Sequence, residues 1–172
     1  MFEIVIPGEP HAQGRARAVP LMRNGEPVFQ PGTRRPIIQF YDPPGSKEWK
    51  KAARTHMLAA LAGAPPFSGP VSLQVVAYFS CPRSQWRKLN PRPARWHSIR
   101  PDGDNCLKAV KDAAKGVLWL DDSQVSVATV EKVIAAQGEA PRTVVVVRPL
   151  AALELVQVPQ QRTLFGPEAS NG

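Results

Sequence analysis

The sequence predicts an α/β protein of the α+β kind: a small mixed β-sheet with two main helices and a flexible C-terminal tail. Three observations predict it. Short apolar runs alternate at a period of two, two longer runs repeat apolar residues at helical spacing, and proline- and glycine-rich segments separate them. At 172 residues, 43% of them hydrophobic, the chain is long enough for one domain with its own core.

Phe2 to Ile6 reads as a first strand. It has no basic start followed by an apolar stretch, so it does not read as a signal peptide. "PGEPHAQGRARAVP" is rich in Pro, Gly and Arg and reads as a loop or arm, and "PIIQFYD" (36–42) as a second strand. "GSKEWKKAARTHMLAALAGA" reads as a helix capped by Ser46, with Trp49, Ala52, Ala53, Met57, Ala60 and Leu61 at helical spacing. "PPFSGP" ends it. "VSLQVVAYFS" (71–80) is a strong strand, with Val71, Leu73, Val75 and Ala77 alternating against more polar positions. A second helix starts near Asp104 and buries Leu107, Val110, Ala113, Ala114 and Val117. "VSVATVEKVIAA" and "TVVVVRPL" read as two strands joined in a hairpin by "QGEAPR". The domain is expected over 1–149 and the flexible tail over 150–172.

The formal net charge is +8, from 22 Lys and Arg against 14 Asp and Glu. Such a balance points to an anionic partner, most simply nucleic acid. No apolar run approaches the roughly 20 residues that cross a bilayer, so no membrane partner is expected. Cys81 and Cys106 show no CxxC spacing, which disfavours a structural zinc and makes a reducing cytoplasm the expected compartment. His11, His56 and His97 are scattered, and nothing in the sequence sets one beside a serine or cysteine nucleophile.

Between the third strand and the second helix lies "CPRSQWRKLNPRPARWHSIRPDG". Its Arg87, Lys88, Arg95 and Arg100, with Arg15 and Arg17 of the arm, are the candidate phosphate contacts. Trp86 and Trp96 either stack on bases or pack under this loop.

The acids pose the sharper question. Asp102 sits in a Pro-Asp-Gly turn, Asp104 is placed to cap the helix, and Asp121 and Asp122 could close a loop. Together they offer another reading. Hard divalent cations take oxygen ligands, and Mg²⁺ is typically held by one or two carboxylates with phosphates and water. Phosphodiester hydrolysis needs an activated water and compensation for the charge that develops, and a metal ion supplies both. Lys108, one helical turn from Asp104, faces the same side and suits that developing charge.

"PDGDNCLKAVKDAAKGVLWLDDSQV" resembles the signature of the RusA family of Holliday junction resolvases: Asp-x-Asp-Asn-x-x-Lys, a helix, then aromatic-x-Asp-Asp-x-Gln-Val. Asp102, Asp104, Asn105, Lys108, Trp119, Asp121, Asp122, Gln124 and Val125 match it. "IPGEPHAQGRARA" is similar to the family's opening, and "VEKVIA" to a strand that usually carries a lysine. The resemblance covers residues 1 to 149. It departs at Gly103 between the first two aspartates, and "GEPVFQPGTRRPIIQF" is longer than a compact member needs.

The resemblance implies a RusA-like fold and a homodimer that makes paired, symmetric, Mg²⁺- or Mn²⁺-dependent cuts in a four-way DNA junction. It implies Asp102, Asp104 and Asp122 as metal ligands, Asp121 as their less certain companion, and Lys108 as the residue that assists the transition state. Asn105 either orients a carboxylate or caps the helix. Such a protein works in the cytoplasm, at the nucleoid. Two alternatives remain: a DNA-binding module whose acids are structural, and a less selective nuclease of forks or flaps. In the tail, "QRTLF" resembles the peptide by which bacterial proteins dock on the replicative sliding clamp, with Gln161 at the pocket edge and Leu164 and Phe165 inside it.

Overall fold

The structure is a computed structural model that describes residues 1–14, 17–41 and 45–151. In chain order its elements are β1 (Phe2–Pro7), β2 (Arg17–Pro20), β3 (Met22–Arg23), β4 (Glu26–Pro27), β5 (Ile38–Tyr41), α1 (Ser46–Leu61), β6 (Val71–Phe79), β7 (Arg95–Trp96), α2 (Gly103–Ala114), β8 (Val125–Ile134) and β9 (Arg142–Pro149). The central mixed sheet has the order β1-β9-β6-β8-β7. Its β6–β8 pair is parallel, and β1–β9, β6–β9 and β7–β8 are antiparallel.

The period-two residues do what the alternation predicts. Ile4, Ile6, Leu73, Val75, Val145 and Val147 are buried on one face of the sheet, against Ala53, Met57 and Leu61 of α1 and Val110, Ala113 and Ala114 of α2. Each fully buried Val, Leu, Ile or Met is worth about 1.5–3 kcal/mol, so this layer holds the sheet and both helices as one unit. Trp119, with no exposed surface, closes the core just past α2. No helix is long and apolar enough to cross a membrane among the described residues.

Four local expectations change. β8 and β9 do not form a hairpin, because β6 lies between them. The valine run of β9 is better satisfied inside the sheet, flanked by β1 and β6, so residues 135–141 cross the end of β6 instead of turning back. Ser46 is not the cap of α1: Gly45 holds that place in the left-handed region (φ 87°), and the Ser46 hydroxyl meets His11 Nε2 at 2.8 Å. The arm is partly structured. β2 pairs with β5, and β3 with β4 across Asn24-Gly25, both at positive φ as a tight hairpin turn requires. That ribbon accounts for the extra length of residues 25–40. Lastly, the basic loop contains β7, which joins the sheet edge at Ile134 and Val133. The clamp-like residues Gln161, Leu164 and Phe165 lie outside the described residues, as does Arg15. Arg17 is described through its backbone in β2.

Candidate active site

The site is built from the first turn of α2. Helix α2 starts at Gly103, with Asp102, not Asp104, at the capping position. Asp102 has the extended backbone of a cap (φ −72°, ψ 145°), yet its side chain makes no capping hydrogen bond. Its carboxylate is exposed and points its chemistry elsewhere. Asp104 follows in the first turn, also exposed, and Asn105 lies inside the helix. Asn105 is therefore not a cap, and its carbonyl oxygen accepts from the Gln13 backbone N–H at 2.9 Å.

The glycine between the two acids has a packing reason. A Cβ on Gly103 would stand 3.1 Å from Val130 Cγ1 of β8, tighter than ordinary contact. Glycine lets α2 begin hard against the sheet, so it seats the acid pair and does not loosen it. One turn on, Lys108 is exposed on the same side as Asp104. No ion pair joins the two among the described residues.

Asp102 opens into a cleft of about 720 Å³, lined by Ala12, Gln13, Gly14, Arg100, Pro101, Asp102 and Asn105. The arm forms one wall and is anchored twice: Gln13 to α2 through Asn105, and His11 to α1 through Ser46. His11 also stacks on Trp49, with ring centroids 5.9 Å apart. Burial, and then the nearby Lys50 charge, pushes the His11 pKa down, so the ring is a neutral pin near pH 7. Nothing along the chain signals this His–Ser contact between residues 35 positions apart. It is no hydrolytic dyad, since Ser46 has no exposed surface.

The second acid pair sits elsewhere. Asp121 and Asp122 follow the far end of α2, whose 12 residues make it about 18 Å long. Asp121 Oδ2 accepts from Lys115 Nζ at 2.7 Å, and its other oxygen accepts from the Ser123 backbone N–H at 3.1 Å. These bonds hold the exposed Asp121 carboxyl well below the usual range, the Lys115 contact most of all. Asp122 Oδ1 accepts from the buried Trp119 indole N–H at 3.0 Å. The Gln124 side chain closes the turn: its oxygen accepts from the Leu120 and Asp121 backbone N–H groups, and its amide donates to Phe67 O and Gly69 O. Gln124 thus has a structural task. Within one chain the four acids do not converge, and no three His, Cys, Asp or Glu side chains among the described residues stand close enough to hold a metal ion.

The donors at the head of α2 nonetheless suit a divalent cation. Asp102 and Asp104 offer carboxylate oxygens that no cap or ion pair among the described residues consumes, and one or two carboxylates with phosphate and water make a common Mg²⁺ site. Cys106 is buried just behind them, and burial above all pushes its thiol pKa up.

The basic loop is ordered by its own polar contacts. The Gln137 side chain bonds the backbone of Arg87 and of Arg92. Arg92 Nε donates to Gln85 O at 2.7 Å. Arg95 donates to the Gln85 side chain and to the Cys81 sulfur, which ties it to the loop and leaves other guanidinium N–H groups for a phosphate. Arg87, Lys88 and Arg100 are exposed. Trp86, 46% exposed, is tied to the loop by its indole N–H, which donates to Cys81 O at 3.1 Å, with Arg83 over its ring. Trp96 is more open, at 72% exposed.

A protein-family comparison matches residues 7–148 to the model described as "Endodeoxyribonuclease RusA". A curated relative, "Uncharacterized protein YqaN" of Bacillus subtilis (strain 168), is 31% identical over 158 residues, covering 88% of this chain and 98% of its own. The match spans the arm, the sheet, the basic loop and both acid pairs, and the chain belongs to the RusA family of endodeoxyribonucleases.

Proposed function

We propose that the protein resolves four-way DNA junctions by paired, symmetric, Mg²⁺-dependent cuts, with Mn²⁺ able to substitute. The observation that carries the reading is the uncapped, exposed Asp102–Asp104 pair at the mouth of a cleft in a strongly basic RusA-family chain. Asp102 and Asp104 would hold the ion, which when bound would supply an activated water and offset the charge that develops on the scissile phosphate. Lys108, on the same face of α2, neutralises part of that charge directly. Arg100, at the cleft, and Arg87 and Lys88, on the loop, hold flanking phosphates, as do Arg15 and Arg17. A carboxylate that also served as a helix cap would lose one of its lone-pair directions to a backbone N–H, and Asp102 does not.

The active unit in this reading is a two-fold homodimer, because two coordinated cuts need two related sites. The edge of β8 supports it. β7 covers β8 at Val133 and Ile134, while Ser126, Val127, Ala128 and Thr129 are all exposed. An open strand edge is a ready template for another chain. Antiparallel pairing of two such edges has its two-fold axis perpendicular to the sheet, so both α2 helices face the same side. It also runs the Asp121–Asp122 end of one strand toward Val130 of the other, where that copy's α2 begins. Asp122 would then complete the other copy's site, which reconciles the separated pairs with one carboxylate cluster.

End-labelled junction strands test the activity. Nicks at two-fold-related positions on opposite strands are the expected product. Scattered nicks, or nicks confined to single-stranded ends, overturn the reading.

A further inference from the structure

Lys132 lies on β8, two residues past Val130, and its side chain is half-buried. Its ammonium donates to two carbonyl oxygens of the chain that leads into α2: Ile99 at 2.7 Å and Pro101 at 2.6 Å. Its own carbonyl accepts from the His97 backbone N–H at 3.0 Å. Just before that contact, Arg95 and Trp96 are laddered to Ile134 and Val133. Lys132 therefore continues the β7–β8 ladder with its side chain, around a corner where the backbone ladder stops. Pro101 is the residue immediately before Asp102.

We propose that Lys132 is a positioning residue for the cleavage reaction, pinning residues 99–101 so that the Asp102 carboxylate is presented at a fixed place. The inference rests on the active-site reading of Asp102. Its physical basis is the number and kind of bonds. An ammonium has three donors and no acceptor, and two short charge-assisted bonds to carbonyls are among the stronger polar contacts a half-buried group can make. The neighbouring side chains offer no substitute anchor: Ile99 is 71% exposed, and Arg100 is exposed at the cleft rim. Without the pin, Asp102 keeps its sequence position at the head of α2 but loses the restraint on its N-terminal side. A displacement near 1 Å in a reacting constellation costs about 10²-fold in rate. Lys132 does not need to touch DNA or metal to have this effect.

The test compares Lys132→Met, which removes the donors, with Lys132→Gln, which keeps an uncharged N–H₂ able to reach carbonyls. Three readouts are needed: backbone ¹⁵N order parameters of Ile99, Arg100, Asp102 and Gly103, the single-turnover cutting rate, and the junction Kd in a chelator. Lys132→Met is expected to lower those order parameters from about 0.85 to below about 0.6 and to cut about 10²-fold more slowly, with Kd within about threefold of wild type. Lys132→Gln is expected to recover part of both losses. Unchanged order parameters in Lys132→Met overturn the proposal, as does a wild-type cutting rate. Losses of order and of rate that do not move together across the two variants also overturn it, because the lysine would then act other than by positioning. Should Lys132→Met fail to fold, Lys132→Gln carries the same comparison against wild type. A wild-type protein that cuts no DNA removes the nuclease reading, while the order parameters still decide whether Lys132 orders the segment.

Discussion

Asp104→Asn is expected to lower the single-turnover cutting rate by about 10³-fold or more and to leave junction binding intact or tighter. A bound divalent ion contributes several kcal/mol to transition-state charge stabilisation, and each 1.36 kcal/mol is tenfold in rate. Removing one of the two carboxylates at the head of α2 strips the ion of a charged ligand. The same change removes a negative charge facing phosphate, so affinity does not fall. The fold offers a clean background. Asp104 is exposed, makes no capping bond, since Asp102 holds the capping position, and pairs with no neighbour among the described residues. The favourable interaction of a first-turn acid with the helix dipole is worth only about 0.3–1 kcal/mol. Thermal unfolding and a binding titration in chelator check the background, and cleavage of a labelled junction checks the prediction. Cutting at the wild-type rate in Mg²⁺ would remove Asp104 from the site.

The second large effect is a recovery. Asp104→Asn and Asp122→Asn are each expected to be inactive alone, and their mixed dimers are expected to cut. If Asp122 of one copy completes the other copy's site, one site of a mixed dimer contains both lesions and the other contains neither. Random reassortment makes about half the dimers mixed, so about one quarter of the wild-type sites return, as single nicks and not paired cuts. If each site is made within one chain, every site in every mixture carries a lesion and nothing returns. If Asp122 is structural, Asp122→Asn is active by itself. Asn at 122 keeps an oxygen for the Trp119 indole N–H, so the turn that this bond supports survives the substitution. Co-expression with two tags isolates the mixed species for the measurement.

Much of this molecule was legible before its fold was known, and the rest was hidden for definable reasons. Period-two and helical spacing located β1, β6, α1 and α2, because one buried face leaves its mark on every turn or pleat. The same patterns could not reveal that β6 divides β8 from β9. Covalent succession favours a hairpin, and the deciding factor is which strand most needs two flanking partners. Asn24-Gly25 between Met22–Arg23 and Glu26–Pro27 is a readable hairpin signal, although the strands it joins are too short to show a period of their own. The acids were legible as residue types. Their order, with one pair before the helix and one after it, was legible too; that the chain does not fold the second pair back beside the first was not, because a signature records order along the chain and not where the chain turns. The packing role of Gly103 leaves no mark in the sequence, because its neighbour Val130 comes from a strand more than twenty residues later. Lys132 was visible only as a lysine on a strand, since its two carbonyl partners carry no side-chain signature at all.

The most direct measurement is a cleavage gel. A four-way junction, a Y-shaped fork and a linear duplex of the same sequence are incubated with the protein in Mg²⁺ and, in parallel, in EDTA. The four-way junction is expected to be converted to two nicked duplexes, the fork and the linear duplex to be cut far more slowly, and nothing to be cut in EDTA. Equal cutting of all three DNAs would contradict junction selectivity, undiminished cutting in EDTA would contradict the metal site at Asp102 and Asp104, and tight junction binding with no cutting in Mg²⁺ or Mn²⁺ would contradict catalysis altogether.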